Sequence, residues 1–114
     1  MNRIIVNLNN KFFKSISNSA NGEVSEATIF HYRQKEDIVW ATYEGGAIKF
    51  GTLSGKIEAD KLEFHYQHQN QKGEFLTGKC HSIVEIVHGK IRLLESWQWT
   101  CGDFSKGNSV LEEI

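Results

Sequence analysis

Turn-forming residues recur along this chain at strand-length intervals, and that spacing constrains the fold more than any other feature. Ala20-Asn21-Gly22, Lys35-Glu36-Asp37, Gly45-Gly46, Ala59-Asp60, Gln71-Lys72-Gly73, His88-Gly89 and the run from Gly102-Asp103 to Gly107 each carry a glycine, asparagine or aspartate of the kind tight turns favour. The segments between them are rich in Val, Ile, Thr, Phe, Tyr and Trp, which suit a pleated surface. Helical periodicity is weak throughout, and proline is absent, as fits long regular strands. The spacing predicts strands near 11–18, 24–34, 38–44, 47–57, 61–69, 74–87, 91–101 and 108–114. A chain of 114 residues has material for one core, so a single domain over 1–114 is expected, with 1–10 as a leader ahead of the barrel.

Loop length decides which residues of a hairpin face each other, and a one-residue slip reverses the faces. Gly45-Gly46 as a two-residue loop sets Trp40 opposite Gly51 and Ile38 opposite Leu53. Ala59-Asp60 brings Leu53 to Tyr66, Gly55 to Phe64 and Ile57 to Leu62. A three-residue loop at Gln71-Lys72-Gly73 puts Tyr66 beside Gly78 and Phe64 beside Cys80. His88-Gly89 then pairs Trp97 with Cys80, Trp99 with Gly78 and Leu93 with Val84, with Glu85 and Arg92 on the reverse face. All four loops agree on one apolar face. Three large aromatics lie across from glycine (Trp40 and Gly51, Phe64 and Gly55, Trp99 and Gly78), a pattern of tightly coiled sheet. The fold expected is all-β: an antiparallel up-and-down meander of about eight strands in a small closed or nearly closed barrel, resembling lipocalins and other calycins.

The same register sets Cys101 opposite Leu76, four positions from Cys80. That is about 13 Å of strand, beyond the roughly 7 Å a disulfide spans between Cα atoms. Both thiols are expected free and buried. A net charge of −1 gives no electrostatic reason to expect nucleic acid or an anionic membrane as partner. No apolar run approaches the roughly 20 residues of a membrane span. The apolar stretch Ile4-Ile5-Val6 is too short for a secretory signal, which makes cytoplasm the expected compartment. His65 and His68 fall on opposite faces of a strand, Cys80 and His81 likewise diverge, and no zinc-ligand spacing occurs. Neither a metal nor a cofactor is expected. No Gly-x-Ser-x-Gly elbow is present, and Cys80 lies beneath Trp97 rather than beside a base.

What remains are polar groups set among aromatics on the inward face. Tyr32, Trp40 and His68 fall in one cross-strand row, with Tyr66 and Trp99 in the next. Such a wall supplies stacking surface and a few directed hydrogen bonds, as a small-molecule site at a barrel mouth requires. The plainer reading is that these rings close one end of a filled barrel. Glu95 interrupts the apolar series Ile91, Leu93, Trp97, Trp99 opposite Ser82. Buried carboxylates of this kind have raised pKa values and can serve as acids or bases, or simply bond a neighbour such as Ser82 or Lys56. The reading that follows is a non-catalytic small-ligand binder, monomer or homodimer, with Tyr32, Trp40, Tyr66, His68 and Trp99 at the mouth. The alternatives are an enzyme using Glu95 or His68 as general acid or base, and an interaction module offering a strand edge.

The stretches Phe30-His31-Tyr32-Arg33-Gln34, Val39-Trp40-Ala41-Thr42-Tyr43, Phe50-Gly51-Thr52-Leu53-Ser54-Gly55 and Trp97-Gln98-Trp99-Thr100 resemble a family of small bacterial proteins often labelled N-acetylglutamate synthase. The likeness runs from Lys11 to the end and includes Gly78-Lys79-Cys80-His81-Ser82 and Ser109-Val110-Leu111-Glu112-Glu113-Ile114. Acetyl-CoA enzymes of that name carry an Arg/Gln-x-x-Gly-x-Gly/Ala loop leading into a helix that cradles the pyrophosphate. The nearest piece here, Gln69 to Gly73, has one glycine and leads into a strand. The resemblance therefore implies kinship without acetyl-CoA chemistry.

Overall fold

Alternation of inward apolar and outward polar residues runs through all eight strands of the computed structural model, which describes residues 6–114. The strands are β1 (Lys11–Asn18), β2 (Ile29–Lys35), β3 (Ile38–Gly45), β4 (Ile48–Glu58), β5 (Lys61–Asn70), β6 (Phe75–Val87), β7 (Lys90–Trp99) and β8 (Lys106–Glu113). Each pairs antiparallel with the next, and β8 returns to β1 to close the barrel. Closure leaves no edge free in the barrel of the described residues, so the edge-docking interaction module expected as an alternative finds no edge there.

From β4 to β7 the register is the expected one. Leu53 faces Tyr66, Gly55 faces Phe64 and Ile57 faces Leu62; Tyr66 then faces Gly78. Across β6 and β7, Trp97 faces Cys80, Trp99 faces Gly78, Leu93 faces Val84 and Glu95 faces Ser82. Glu85 does sit opposite Arg92, but the guanidinium bonds Glu112 of β8 instead, Nε to Oε2 at 2.9 Å.

The β3–β4 hairpin differs. Gly45 pairs with Ile48, so the turn is Gly46-Ala47, and a bulge then leaves Tyr43 rather than Trp40 opposite Gly51. Gly45 and Gly46 both have positive φ, at 120° and 63°. Two consecutive glycines mark a turn but do not say which of them is its apex. The three-position shift reverses the faces: Val39, Ala41 and Tyr43 point inward, and Trp40 pairs with Arg33 and Ser54 on the outside, 38% exposed.

β2 also begins later than expected, at Ile29 rather than near residue 24. Residues 19–28 instead form a connection that folds over one end of the barrel. At the other end the segment ahead of β1 contributes Val6 and Leu8 to the core, and the Leu8 amide donates to Gln34 Oε1 at 2.9 Å. The rest of the expected leader, residues 1–5, lies outside the described residues. Cys80 is buried, Cys101 is half-buried against the Thr77 backbone, and both are free thiols.

Candidate functional site

Three cross-strand pairs build the aromatic wall. Tyr43 lies over Gly51, Tyr66 over Gly78 and Trp97 over Gly107, each ring occupying the space where a Cβ on the glycine would be. The glycine opposite gives each ring a flat backbone to lie on. The expected cover for Gly78, Trp99, instead meets Tyr66 edge-on at 5.8 Å between centroids and His68 at the same separation. At Gly55 a Cβ would meet the Glu63 carbonyl and the Phe64 backbone, so that glycine permits close strand approach.

These rings line a cavity of ≈ 50 Å³ at the end covered by the 19–28 connection. Its floor is Glu95, whose Oε1 accepts from Ser109 Oγ at 2.8 Å and whose Oε2 accepts from Ser82 Oγ at 3.5 Å. Burial pushes this carboxyl up to about 7 from an ordinary 4.5, and the two serine hydroxyls pull the other way. Lys56 takes no part. The roof is Glu23, which bonds His68 Nε2 through Oε1 at 2.8 Å and accepts from Asn70 Nδ2 through Oε2 at 3.0 Å. On the other ring nitrogen, Tyr43 Oη lies 3.0 Å from His68 Nδ1. With the carboxylate accepting from Nε2–H, Nδ1 is left to accept from the tyrosine, the pattern of a neutral imidazole. Burial lowers the His68 pKa, outweighing Glu23, and so favours the same uncharged form.

The connection is fastened by polar groups of its own and of the end of β1. Asn18 Nδ2 donates to the Val24 carbonyl, and Asn21 Nδ2 donates to the Lys106 carbonyl. Both inward indoles reach towards it. Trp97 Nε1 donates to Asn18 Oδ1 at 3.1 Å, and Trp99 Nε1 donates to the Asn21 carbonyl at 3.2 Å.

Of the residues singled out from sequence, Tyr66, His68, Trp99 and Glu95 meet at this cavity. Tyr32 is fully buried below the mouth rather than at it. Its hydroxyl is the one buried side-chain polar atom without a partner among the described residues. Trp40 is on the outer surface and cannot contribute, for the register reason given above. Tyr43, Glu23, Asn18 and Ser109 were not anticipated. A bulge hid the first, and the roof sits in a loop whose path no strand register predicts. Among the described residues no three His, Cys, Asp or Glu side chains gather as a metal-ligand group.

A closed eight-stranded meander with an aromatic-lined cavity at one end is a calycin-type barrel, a class that typically binds a small molecule. Residues 6–114 match the family model described as avidin-like protein, and the chain belongs to that family. This overturns the resemblance to proteins labelled N-acetylglutamate synthase: the match spans the whole described barrel, which has no helix to cradle a pyrophosphate. Comparisons with curated proteins and with solved structures gave no match.

Proposed function

We propose that this barrel holds a small molecule, without catalysis, between Glu95 and the 19–28 connection, with Tyr43, Tyr66, Trp97 and Trp99 as walls. One observation carries the reading. A buried carboxylate, bonded only by two serine hydroxyls, forms the floor of an aromatic chamber whose cover is held by polar contacts. Burying a carboxyl costs stability unless it is well bonded, and a hydrophobic residue would serve a purely structural core better. As closed, the ≈ 50 Å³ cavity admits a few heavy atoms; an apolar cavity of about 150 Å³ is needed for benzene. A larger ligand must therefore lift Glu23 and its neighbours. Biotin, the ligand typical of avidin-like barrels, is of that larger kind.

Native mass spectrometry of freshly purified protein, followed by NMR titration, tests the proposal. The three indole N–H signals separate inside from outside, since Trp97 and Trp99 face the cavity and Trp40 faces solvent. A co-purifying compound, biotin or members of a diverse fragment set should shift the first two and spare the third. If nothing co-purifies and no fragment moves Trp97 or Trp99, the cavity is closed core and the proposal fails.

A further inference from the structure

The charges around this cavity are one-sided. Glu95 at the floor and Glu23 at the roof face it, and among the described residues no lysine or arginine lines it. His68 does not supply the missing cation: burial favours its neutral form, with Nε2–H donating to Glu23 and Nδ1 accepting from Tyr43. We infer that the deep end of the site takes a compact protonated amine, with the ammonium group on Glu95 and its carbon chain among the aromatic rings. The inference rests on the cavity being a ligand site, as proposed above.

The geometry supports this in four ways. A carboxylate offers about four lone-pair positions, yet Glu95 uses one at 2.8 Å and a second at 3.5 Å, leaving acceptor capacity free. The Tyr32 hydroxyl, fully buried, is the one unpartnered side-chain polar atom among the described residues, an acceptor left spare in the interior. Tyr43, Tyr66, Trp97 and Trp99 line the cavity, and an aromatic ring attracts a cation wherever it presents its face. Finally, the ≈ 50 Å³ of space matches a group of a few heavy atoms, the size of an alkylammonium head. A carboxylate ligand placed there would meet the Glu23 charge, and the Glu95 charge as well once the pH passes about 7.

Three probes of similar size decide the point: ethylammonium, ethanol and acetate, each titrated into the intact protein while the Trp97 and Trp99 indole signals are followed. Ethylammonium should shift both saturably, ethanol should bind at least about tenfold more weakly, and acetate should not compete. Glu95→Gln, which keeps the shape and removes the charge, should erase the advantage of ethylammonium over ethanol. Equal or tighter binding of ethanol or acetate overturns the inference, as does an advantage that survives Glu95→Gln. Should that variant not fold, the ranking of the three probes on the unmodified chain decides alone. If larger fragments shift the two indoles but ethylammonium does not, the amine assignment falls and the ligand site stands. If neither set moves them, both fall.

Discussion

The two ends of this barrel are closed by different physics. At one end Phe13, Leu62, Ile91, Leu93 and Leu111 meet with Val6 and Leu8 in an apolar core. At the other, the 19–28 connection is pinned through Glu23, Asn21 and the Val24 carbonyl by hydrogen bonds to His68, Asn70, Lys106, Asn18 and the Trp99 indole. Exposing an apolar plug to water forfeits its burial energy, with nothing in water to replace it. A polar cover trades each bond for one to water, at a net loss of only about 1 kcal/mol apiece. The same barrel thus has a permanent end and an end that can open, and the ionisable groups sit at the second.

The largest effect is expected at the permanent end. Phe13→Ala removes a fully buried ring packed edge-on against Tyr32 and should destabilise by about 3–5 kcal/mol in denaturant unfolding. A loss below about 1 kcal/mol would show that this end is not the anchor.

Next comes the pH dependence of Glu95. Its folded pKa, about 7, lies above the ordinary 4.5, so the folded state holds the proton more tightly than the unfolded state. Stability should therefore fall as pH rises from 4.5 through about 7, by roughly 2–4 kcal/mol in total. His68 acts oppositely: its lowered pKa removes stability as pH falls below 6.5. Comparing unfolding of wild type and Glu95→Gln near pH 5 and near pH 8 isolates the carboxyl, and the variant should lack this fall. Parallel profiles for the two proteins would mean that Glu95 is already ionised or well solvated.

Gly78→Ala should cost about 1–3 kcal/mol, because the new methyl takes the place of the Tyr66 ring tip. An unchanged melting temperature would place that ring elsewhere. The smallest change in stability is expected at the cover. Glu23→Gln, which keeps a bond to Asn70 possible, should alter unfolding by less than about 1 kcal/mol. Hydrogen exchange at the Trp99 indole should nevertheless quicken while amides of Leu93 and Leu111 keep their protection. Equal acceleration at both ends would abolish the distinction between them.

How much of this was legible in the sequence follows from the same contrast. Hairpin loops at Ala59-Asp60, Gln71–Gly73 and His88-Gly89 gave a correct register for β4 to β7, because a short loop fixes opposition across a whole pair of strands. That register placed Tyr66, His68, Trp99 and Glu95 on one interior. It misplaced Trp40 because the glycine pair was compatible with two turns, and the bulge that followed moved every β3 side chain to the other face. The cover was invisible for a different reason. Residues 24–28 read as the start of a strand, and nothing local in Glu23 announces that it will reach His68, 45 positions away.

The glycines behind the aromatic wall also make the chamber adjustable from the rear. Gly51, Gly78 and Gly107 do not line the cavity, yet each holds the backing on which Tyr43, Tyr66 or Trp97 rests. A methyl group at any one of them would push its ring towards the centre and shrink the chamber without replacing a single lining residue. For descendants of this sequence, or for anyone reshaping it, the bore is set by three absent side chains, and the inner surface can be recast while its chemistry stays the same.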